Sequence, residues 1–159
     1  MRFCLVSLLL ILPLGAARAQ AHAGCPEHPH SLAAMQGCYR PLLVFSPSAT
    51  DPRWLQQERL LDHDADDMMD RDVVLLPVLT NARGYKPPLD APSITLPPQE
   101  LAMVRKRFGV AASRFVVVLL GEDGSAKLRE SKPVSTDTLN GLIDTMPTRR
   151  QEMQQPHSN

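Results

Sequence analysis

The chain of 159 residues lacks most of the motifs on which common enzyme mechanisms depend. Its three cysteines form no C-x-x-C pair. The sequence has no glycine-rich phosphate loop and no G-x-S-x-G nucleophile motif, and His63 has no evident serine or thiol partner. There is no internal repeat and no sign of a second domain. These absences exclude the nucleotide-binding and hydrolase classes that carry a clear sequence motif. They favour a protein that binds a partner over one that catalyses a reaction.

Long hydrophobic runs are also absent after the N-terminus. There, Arg2 is followed by an apolar run from Cys4 to Leu14 and by the cleavage signal Ala17-Arg-Ala19, with Ala21-His-Ala23 as an alternative. The run is too short to cross a bilayer, so residues 1–19 are predicted to be a signal peptide rather than an anchor. The mature protein is expected to be secreted or periplasmic, with no membrane span.

The mature chain has no excess of positive charge. Arg2 and Arg18 leave with the signal, so the lysine-plus-arginine count falls from 17 to 15 against 17 acids, a net charge near −2. Such a balance gives no electrostatic reason to expect a nucleic-acid partner or an anionic membrane surface. The remaining 140 residues are enough for one domain with a core.

Two cysteines, Cys25 and Cys38, remain after cleavage, in a lead-in segment of residues 20–38. An even pair in an exported protein predicts a disulfide. Two alternatives stay open. The pair could be a labile, catalytic disulfide of a thiol oxidoreductase, or it could bind zinc or copper together with His28, His30 and Met35. A lipoprotein acylated on Cys25 is disfavoured, since the residues before it form a poor lipobox.

The first half of the domain shows two apolar strands around one helix. Leu42–Ser46 and Val73–Leu79 predict buried strands, and Pro77 within the second indicates an edge or a bulge. Asp51-Pro52 predicts an N-cap and a first helical residue. The helix between the strands has apolar residues at helical spacing on one face: Trp54, Leu61, Ala65 and Met68.

The second half follows a long irregular segment, Thr80–Pro98. A helix that stops at Gly109 precedes a strand at Phe115–Leu120, a turn, and a further strand at Ala126–Glu130. Ser135 caps a last helix, which Pro147 is predicted to end. Residues 39–153 are therefore expected to form the domain, and residues 154–159 a disordered tail.

The resulting order, β-α-β-α-β-β-α, predicts a four-stranded mixed sheet with helices on both faces, an α/β domain of thioredoxin-like type. In that fold the reactive thiol sits where the first strand meets its helix. Here the segment Ser46–Pro52 is similar to a peroxiredoxin loop but contains no cysteine. Cys38 precedes the first strand, so it is expected at the opposite end of the sheet from Thr50.

Several longer stretches carry a resemblance to a known family. They are Leu43-Val-Phe-Ser-Pro47, Arg71-Asp-Val73, Phe115 through Lys127, and Ile143-Asp-x-Met-Pro-x-Arg-Arg-Gln-Glu-Met153. The chain resembles the bacterial domain-of-unknown-function family numbered 4174, which is related to domains of vertebrate extracellular sushi-repeat proteins. The resemblance implies a thioredoxin-like, peroxiredoxin-related fold without the catalytic cysteine, and it implies no established activity and no cofactor.

Candidate binding residues lie in two places. Thr50 marks the loop where this fold places its reactive group. Around Pro147, two adjacent arginines stand near two acids, and they could clamp a carboxylate or phosphate of an unknown protein or a small anionic ligand. The alternative is a solvated helix end. The residues in this second place are Asp144, Arg149, Arg150 and Glu152.

A third candidate site is an acidic stretch that consists of Asp62–Asp67 with Asp70 and Asp72. It lacks the glycine and the terminal glutamate of an EF-hand loop, so a solvated helix face is favoured over a calcium or magnesium site.

Overall fold

The computed structural model describes residues 24–154, so the predicted signal peptide and all but the first residue of the predicted tail lie outside the described residues. A single 3-10 turn, Ala33–Met35, precedes the first strand. The strands are β1 (Arg40–Ser48), β2 (Val73–Asn81), β3 (Val116–Leu120) and β4 (Ala126–Glu130). The helices are α1 (Pro52–His63), α2 (Ala65–Asp70), α3 (Pro98–Phe108), α4 (Thr136–Ile143) and α5 (Pro147–Gln154).

The four strands form one mixed sheet in the order β2-β1-β3-β4. β1 and β2 are parallel, whereas β3 is antiparallel to both β1 and β4. This arrangement confirms the predicted thioredoxin-like α/β fold. Pro77 lies on the edge strand β2, as its missing N–H requires.

Alternation along β1 divides the core between the two faces of the sheet. Leu42 and Val44 face the first core cluster. This cluster contains the four apolar residues predicted for one helix face, and all four are buried: Trp54, Leu61, Ala65 and Met68. Leu43 and Phe45 face the second cluster, with Val104 of α3. Leu32 and Met35 of the predicted lead-in are also buried in this second cluster, so the segment before β1 is part of the packed domain.

The helix ends follow local signals in the sequence. Asp51 accepts a hydrogen bond from the N–H of Arg53 at 2.9 Å with Pro52 at the first helical position, and Ser135 caps α4. Gly109 closes α3 with φ +59°, a conformation that glycine adopts without strain. The single helix predicted between the first two strands is divided into two helices. α1 ends at His63, and Asp64 separates it from α2.

The prediction that Pro147 ends the last helix is wrong. α4 ends at Ile143, and Pro147 is the first residue of the separate helix α5. Proline suits this position because the first N–H groups of a helix have no intrahelical acceptor to lose. The two arginines after Pro147 therefore lie within a helix rather than at the end of one.

The irregular segment after β2 is anchored to the sheet. The N–H of Leu75 donates to Pro92 O and that of Ile94 donates to Leu75 O, both at 2.9 Å, so Ser93 pairs with the outer side of β2. Asp62 holds the same segment by accepting the N–H groups of Asp90 and Ala91. No helix among residues 24–154 is long and apolar enough to cross a membrane.

Candidate functional site

The loop between β1 and α1 is the place where a thioredoxin-like fold carries its thiol, and here it carries hydroxyls and a carboxylate. Ser48 Oγ lies 3.1 Å from Thr50 Oγ1 and accepts a hydrogen bond from the Thr50 N–H. Asp51 is bound by the side chain of Arg53 through Nε at 2.9 Å and Nη2 at 2.7 Å, and these bonds hold the pKa of Asp51 below its usual range. An anion already occupies the start of α1, where the fold would otherwise stabilise a thiolate.

The two described cysteines lie elsewhere. Cys25 and Cys38 form a disulfide with Cα atoms 5.6 Å apart, which confirms the predicted pairing. Cys38 lies two residues before β1, and the eight steps along this strand span about 26 Å. The disulfide therefore lies near the end of the sheet opposite Thr50. Met35 is fully buried, so a metal site in this segment would lack this ligand and both thiolates.

Three of the predicted binding residues belong to a cluster of charges at the end of the sheet where β1 and β2 begin. We call it the arginine cluster. It contains three arginines and five acids from β1, α2, α5 and three connecting segments: Arg40, Arg71, Arg149, Asp70, Asp72, Glu122, Asp144 and Glu152.

Arg40 is the centre of the arginine cluster, and its side chain is 0% exposed. Its Nη1 donates to Arg71 O at 2.8 Å. Its Nη2 donates to Thr148 Oγ1 at 3.1 Å and to Glu152 Oε1 at 2.6 Å. The first strand is thus joined to the last helix through one buried guanidinium, 112 residues from its carboxylate partner.

The other two arginines surround this centre. Arg71 makes a two-point contact with Asp144, with Nε and Nη2 each 3.0 Å from a carboxylate oxygen, and this contact lowers the pKa of Asp144. Arg149 donates to Asp70 O at 2.7 Å and also contacts the Asp70 carboxylate. Glu152 Oε2 lies 3.4 Å from Arg149 Nη1. α5 is therefore held against α2 and the end of α4 by charge-assisted bonds.

Glu122 and Glu152 both lie beside Arg40, and their carboxyl groups share a hydrogen bond. Arg40 Nη2 lies 2.8 Å from Glu122 Oε1 but directs its N–H groups to Thr148 and Glu152, so Glu122 Oε1 accepts no hydrogen bond. Burial and the neighbouring Glu152 carboxylate raise the pKa of Glu122, which favours a proton on its carboxyl group. Burial opposes ionisation of Glu152 too, but the hydrogen bond from Arg40 lowers its pKa.

Asp72, Glu122 and Glu152 have carboxylate oxygens within 4.8 Å of one another, the one such trio found among residues 24–154. A guanidinium already stands between them: Arg40 lies 2.8 Å from Glu122, 2.6 Å from Glu152 and 3.9 Å from Asp72. The carboxylates of the trio are therefore already paired with an internal cation.

The structure thus brings Asp144, Arg149 and Glu152 together and separates the other two predicted residues from them. Arg150 is exposed on α5, and Thr50 lies beyond the far end of β1. Sequence reasoning did not select Arg40, Arg71 or Glu122 as binding residues. Their contacts within the cluster are mostly with residues distant in the chain, although Arg71 also pairs with the nearby Asp67 and Asp70. The one local signal is that Arg40 directly adjoins the apolar run of β1.

The acidic stretch on α1 and α2 surrounds an open cavity of about 330 Å³. The carboxylate of Asp62 accepts hydrogen bonds from the N–H groups of Asp90 and Ala91, which lower the pKa of Asp62. Asp67 accepts a hydrogen bond from Asn140 at 2.9 Å. Asp66 is exposed, as expected for a solvated face. These carboxylates anchor neighbouring segments or face solvent, and they do not converge on one point.

Solved structures with the same fold share little sequence with this chain. Thioredoxin peroxidase I of Plasmodium yoelii has a TM-score of 0.55 at 16% identity and covers 80% of this chain and 84% of its own. The reduced 2-Cys peroxiredoxin of Plasmodium vivax also scores 0.55, at 17% identity, with 76% and 84% covered. The exposed lipoprotein thioredoxin Etrx1 of Streptococcus pneumoniae scores 0.53 at 16% identity, with 72% and 90% covered.

These similarities establish the fold and nothing about chemistry. A comparison with curated proteins found no match. The profile of the domain of unknown function DUF4174 matches residues 31–152, from the turn before β1 to Glu152 of the arginine cluster. The chain therefore belongs to the DUF4174 family.

Proposed function

We propose that this protein is an exported thioredoxin-like domain that binds a partner and performs no thiol chemistry. The observation that carries the proposal is the content of the β1–α1 loop, where Thr50 and Asp51 stand in place of a reactive cysteine. Export rests on the signal-peptide pattern in the sequence.

Two further features support a binding role. The described cysteines are joined to each other near the opposite end of the sheet, about 26 Å from the loop. The arginine that the sequence suggested as half of a clamp, Arg149, is paired with Asp70, Asp144 and Glu152. The arginine cluster therefore serves to hold the fold, and binding is assigned to surfaces whose charges have no internal partner.

The test is a thiol-exchange assay on the protein purified from the export compartment, compared with a Cys25→Ser/Cys38→Ser variant. We expect the disulfide to survive mild reductant, as judged by intact mass after alkylation. We also expect both proteins to be equally inactive in reducing a disulfide substrate, with an active thioredoxin as the positive control.

A thiol oxidoreductase that uses Cys25 and Cys38 predicts the opposite result. Rapid alkylation after mild reduction, together with an activity that the double serine variant loses, would overturn the proposal. The same mass spectra test export, because cleavage after Ala19 gives a mature chain that begins at Gln20.

A further inference from the structure

An open pocket of about 380 Å³ lies at the end of the sheet where β3 begins, between the end of α3 and the end of β4. Its charged lining residues are Arg114, Arg129 and Glu130. Within residues 24–154, neither guanidinium has a hydrogen-bond or ion-pair partner. These arginines differ in this respect from Arg40, Arg71 and Arg149, each of which makes hydrogen bonds and ion pairs within the arginine cluster.

The strand register separates the acid from the arginine. Arg129 lies opposite Val118 in the antiparallel pair of β3 and β4, whereas Glu130 lies opposite Val117. Directly opposite residues share a face of the sheet, and Val118 and Val117 belong to the two different core faces. The Arg129 side chain is thus on the α3 side, where the loop after α3 forms the pocket wall, and the Glu130 side chain is on the other side.

The backbone of this loop has free donors and occupied acceptors. The carbonyls of Val110 and Ala111 accept bonds from Arg105 Nη1 at 3.5 and 3.4 Å, and Ala112 O accepts a 2.8 Å bond from Thr80 Oγ1. The N–H groups of residues 111–113 make no hydrogen bond within the described part of the chain, and all three residues are exposed. Of these three residues Ala111 lines the pocket, so its unpaired N–H group is available to an anion bound there.

The end of α3 does not cancel this attraction. Its C-terminal carbonyls repel an anion where they are free, and two of the last four are bonded, since the N–H groups of Gly109 and Val110 donate to Lys106 O and Arg105 O. Three more cations lie in the segments that follow β2 and β4 at this end of the sheet: Arg83, Lys86 and Lys132. The field at this end therefore favours the approach of negative charge.

We propose that this pocket binds the dianionic end of a small ligand, either a phosphate monoester or a pair of carboxylates. Arg114 and Arg129 would hold its oxygens from two sides, and the N–H group of Ala111, which also lines the pocket, would donate to the same ligand. Guanidinium groups suit this task because their planar donors match carboxylate and phosphate oxygens. The volume lies within the range of small-ligand pockets. This inference rests on the proposed binding function and names its ligand class.

The experiment is a titration of the isotopically labelled full mature protein, followed by amide NMR shifts at constant ionic strength. Inorganic phosphate and succinate are the two probes, and acetate and chloride are the monoanion controls. We expect saturable shifts at the amides of residues 111–113 with at least one dianion and weaker, non-saturating shifts with the monoanions. Saturation by phosphate alone or by succinate alone would identify the ligand chemistry.

Matched variants show whether the arginines are responsible. Arg114→Gln and Arg129→Gln are each expected to weaken binding roughly tenfold, about the effect of losing one charge-assisted hydrogen bond. Arg59→Gln removes an exposed arginine on α1 outside the pocket and is expected to change the affinity less than twofold. Thermal melting confirms that each variant is folded.

Two outcomes would overturn the proposal: no saturable shift at residues 111–113 of the unmodified protein, or equal affinities in all three variants. Either result leaves the thiol-exchange assay unaffected. Conversely, thiol activity in that assay would contradict the non-catalytic function while the phosphate titration still measured the pocket, so the two failures are distinguishable.

Discussion

Arg149 and Arg150 are adjacent in sequence and lie in opposite environments. On α5 they are about 100° apart, so the one that faces α2 is buried and bonded and the other is exposed. A pair of arginines in a sequence is therefore not a clamp unless both side chains reach the same side of the element. The same reasoning distinguishes Arg129 from Glu130 on β4. Side-chain directions repeat every two residues along a strand, compared with every 3.6 residues along a helix, so neighbouring residues of β4 lie on opposite faces.

This difference predicts unequal effects of two alanine substitutions. Arg149→Ala is expected to lower the free energy of unfolding by about 2 kcal/mol, because it leaves Asp70 O and the Glu152 carboxylate with fewer donors. Arg150→Ala, the matched control, is expected to stay within about 0.5 kcal/mol. Urea unfolding of both variants checks this. Equal losses would mean that the arginine cluster does not hold α5.

Substitution by glutamine is expected to have opposite effects on stability at the two glutamates beside Arg40. The folded pKa of Glu122 is raised above its usual 4.5, so its contribution to stability is complete below this value and is lost as the pH rises through the folded pKa. Glu122→Gln mimics the protonated carboxyl, so this variant is expected to be at least as stable as the parent at pH 7.

Glu152 has a lowered pKa, so its contribution is present at neutral pH and is lost as the pH falls through the folded value. Glu152→Gln removes the charged acceptor of Arg40 and is expected to cost about 2 kcal/mol at pH 7. Urea unfolding at pH 4, 5.5 and 7 gives both comparisons. A Glu122→Gln variant that is markedly less stable than the parent at pH 7 would contradict the assigned protonation.

At the scale of elements, the disulfide fixes the segment that precedes β1. It closes thirteen residues and holds Leu32 and Met35 against the second core cluster. Cys25→Ser/Cys38→Ser is expected to lower stability by about 3 kcal/mol, chiefly through a less restricted unfolded chain. Thermal unfolding of the parent in strong reductant should match that of the variant. A difference below about 1 kcal/mol would show that residues 24–38 are held by packing alone.

The elements that the sequence predicts well are those whose signals are local. Apolar runs mark β1 to β3, Asp51 and Ser135 mark helix starts, and the left-handed Gly109 marks a helix end. α5 escaped prediction because proline both ends helices and begins them, and only the packing of the following residues decides between the two. The arginine cluster was predicted only in part. Asp144, Arg149 and Glu152 share one short window, but the bonds of Arg40 connect residues 31 to 112 apart, and no short window contains both partners.

At the scale of the whole molecule, the two ends of the sheet carry different charge. The end where β1 and β2 begin carries the five acids of the arginine cluster against its three arginines, and the opposite end carries arginines and lysines with few acids. The net charge of the chain, near zero, does not reveal this difference in charge between the two ends of the sheet. Any anionic partner should therefore approach the end that also holds Thr50, and its association rate should fall with added salt.

Removal of α5 tests how far the fold depends on its last helix. A chain that ends at Met146 lacks Thr148, Arg149 and Glu152, which leaves Arg40 buried without two of its hydrogen-bond partners. We expect a loss of more than about 3 kcal/mol, larger than that of any single substitution in α5. Circular dichroism and urea unfolding measure it. Native stability in the truncated chain would show that Arg40 finds water or other partners instead.

The dependence of Arg40 on Glu152 also has a consequence for synthesis. A ribosome delivers the first strand long before the last helix, so Arg40 exists for most of translation without the carboxylate that it needs. A chain stalled before Thr148 emerges should accordingly remain sensitive to proteolysis, and emergence of residues 147–152 should close the domain. For the exported protein that we propose, this closure belongs to the far side of the membrane, after the segment that carries Glu152 has crossed it.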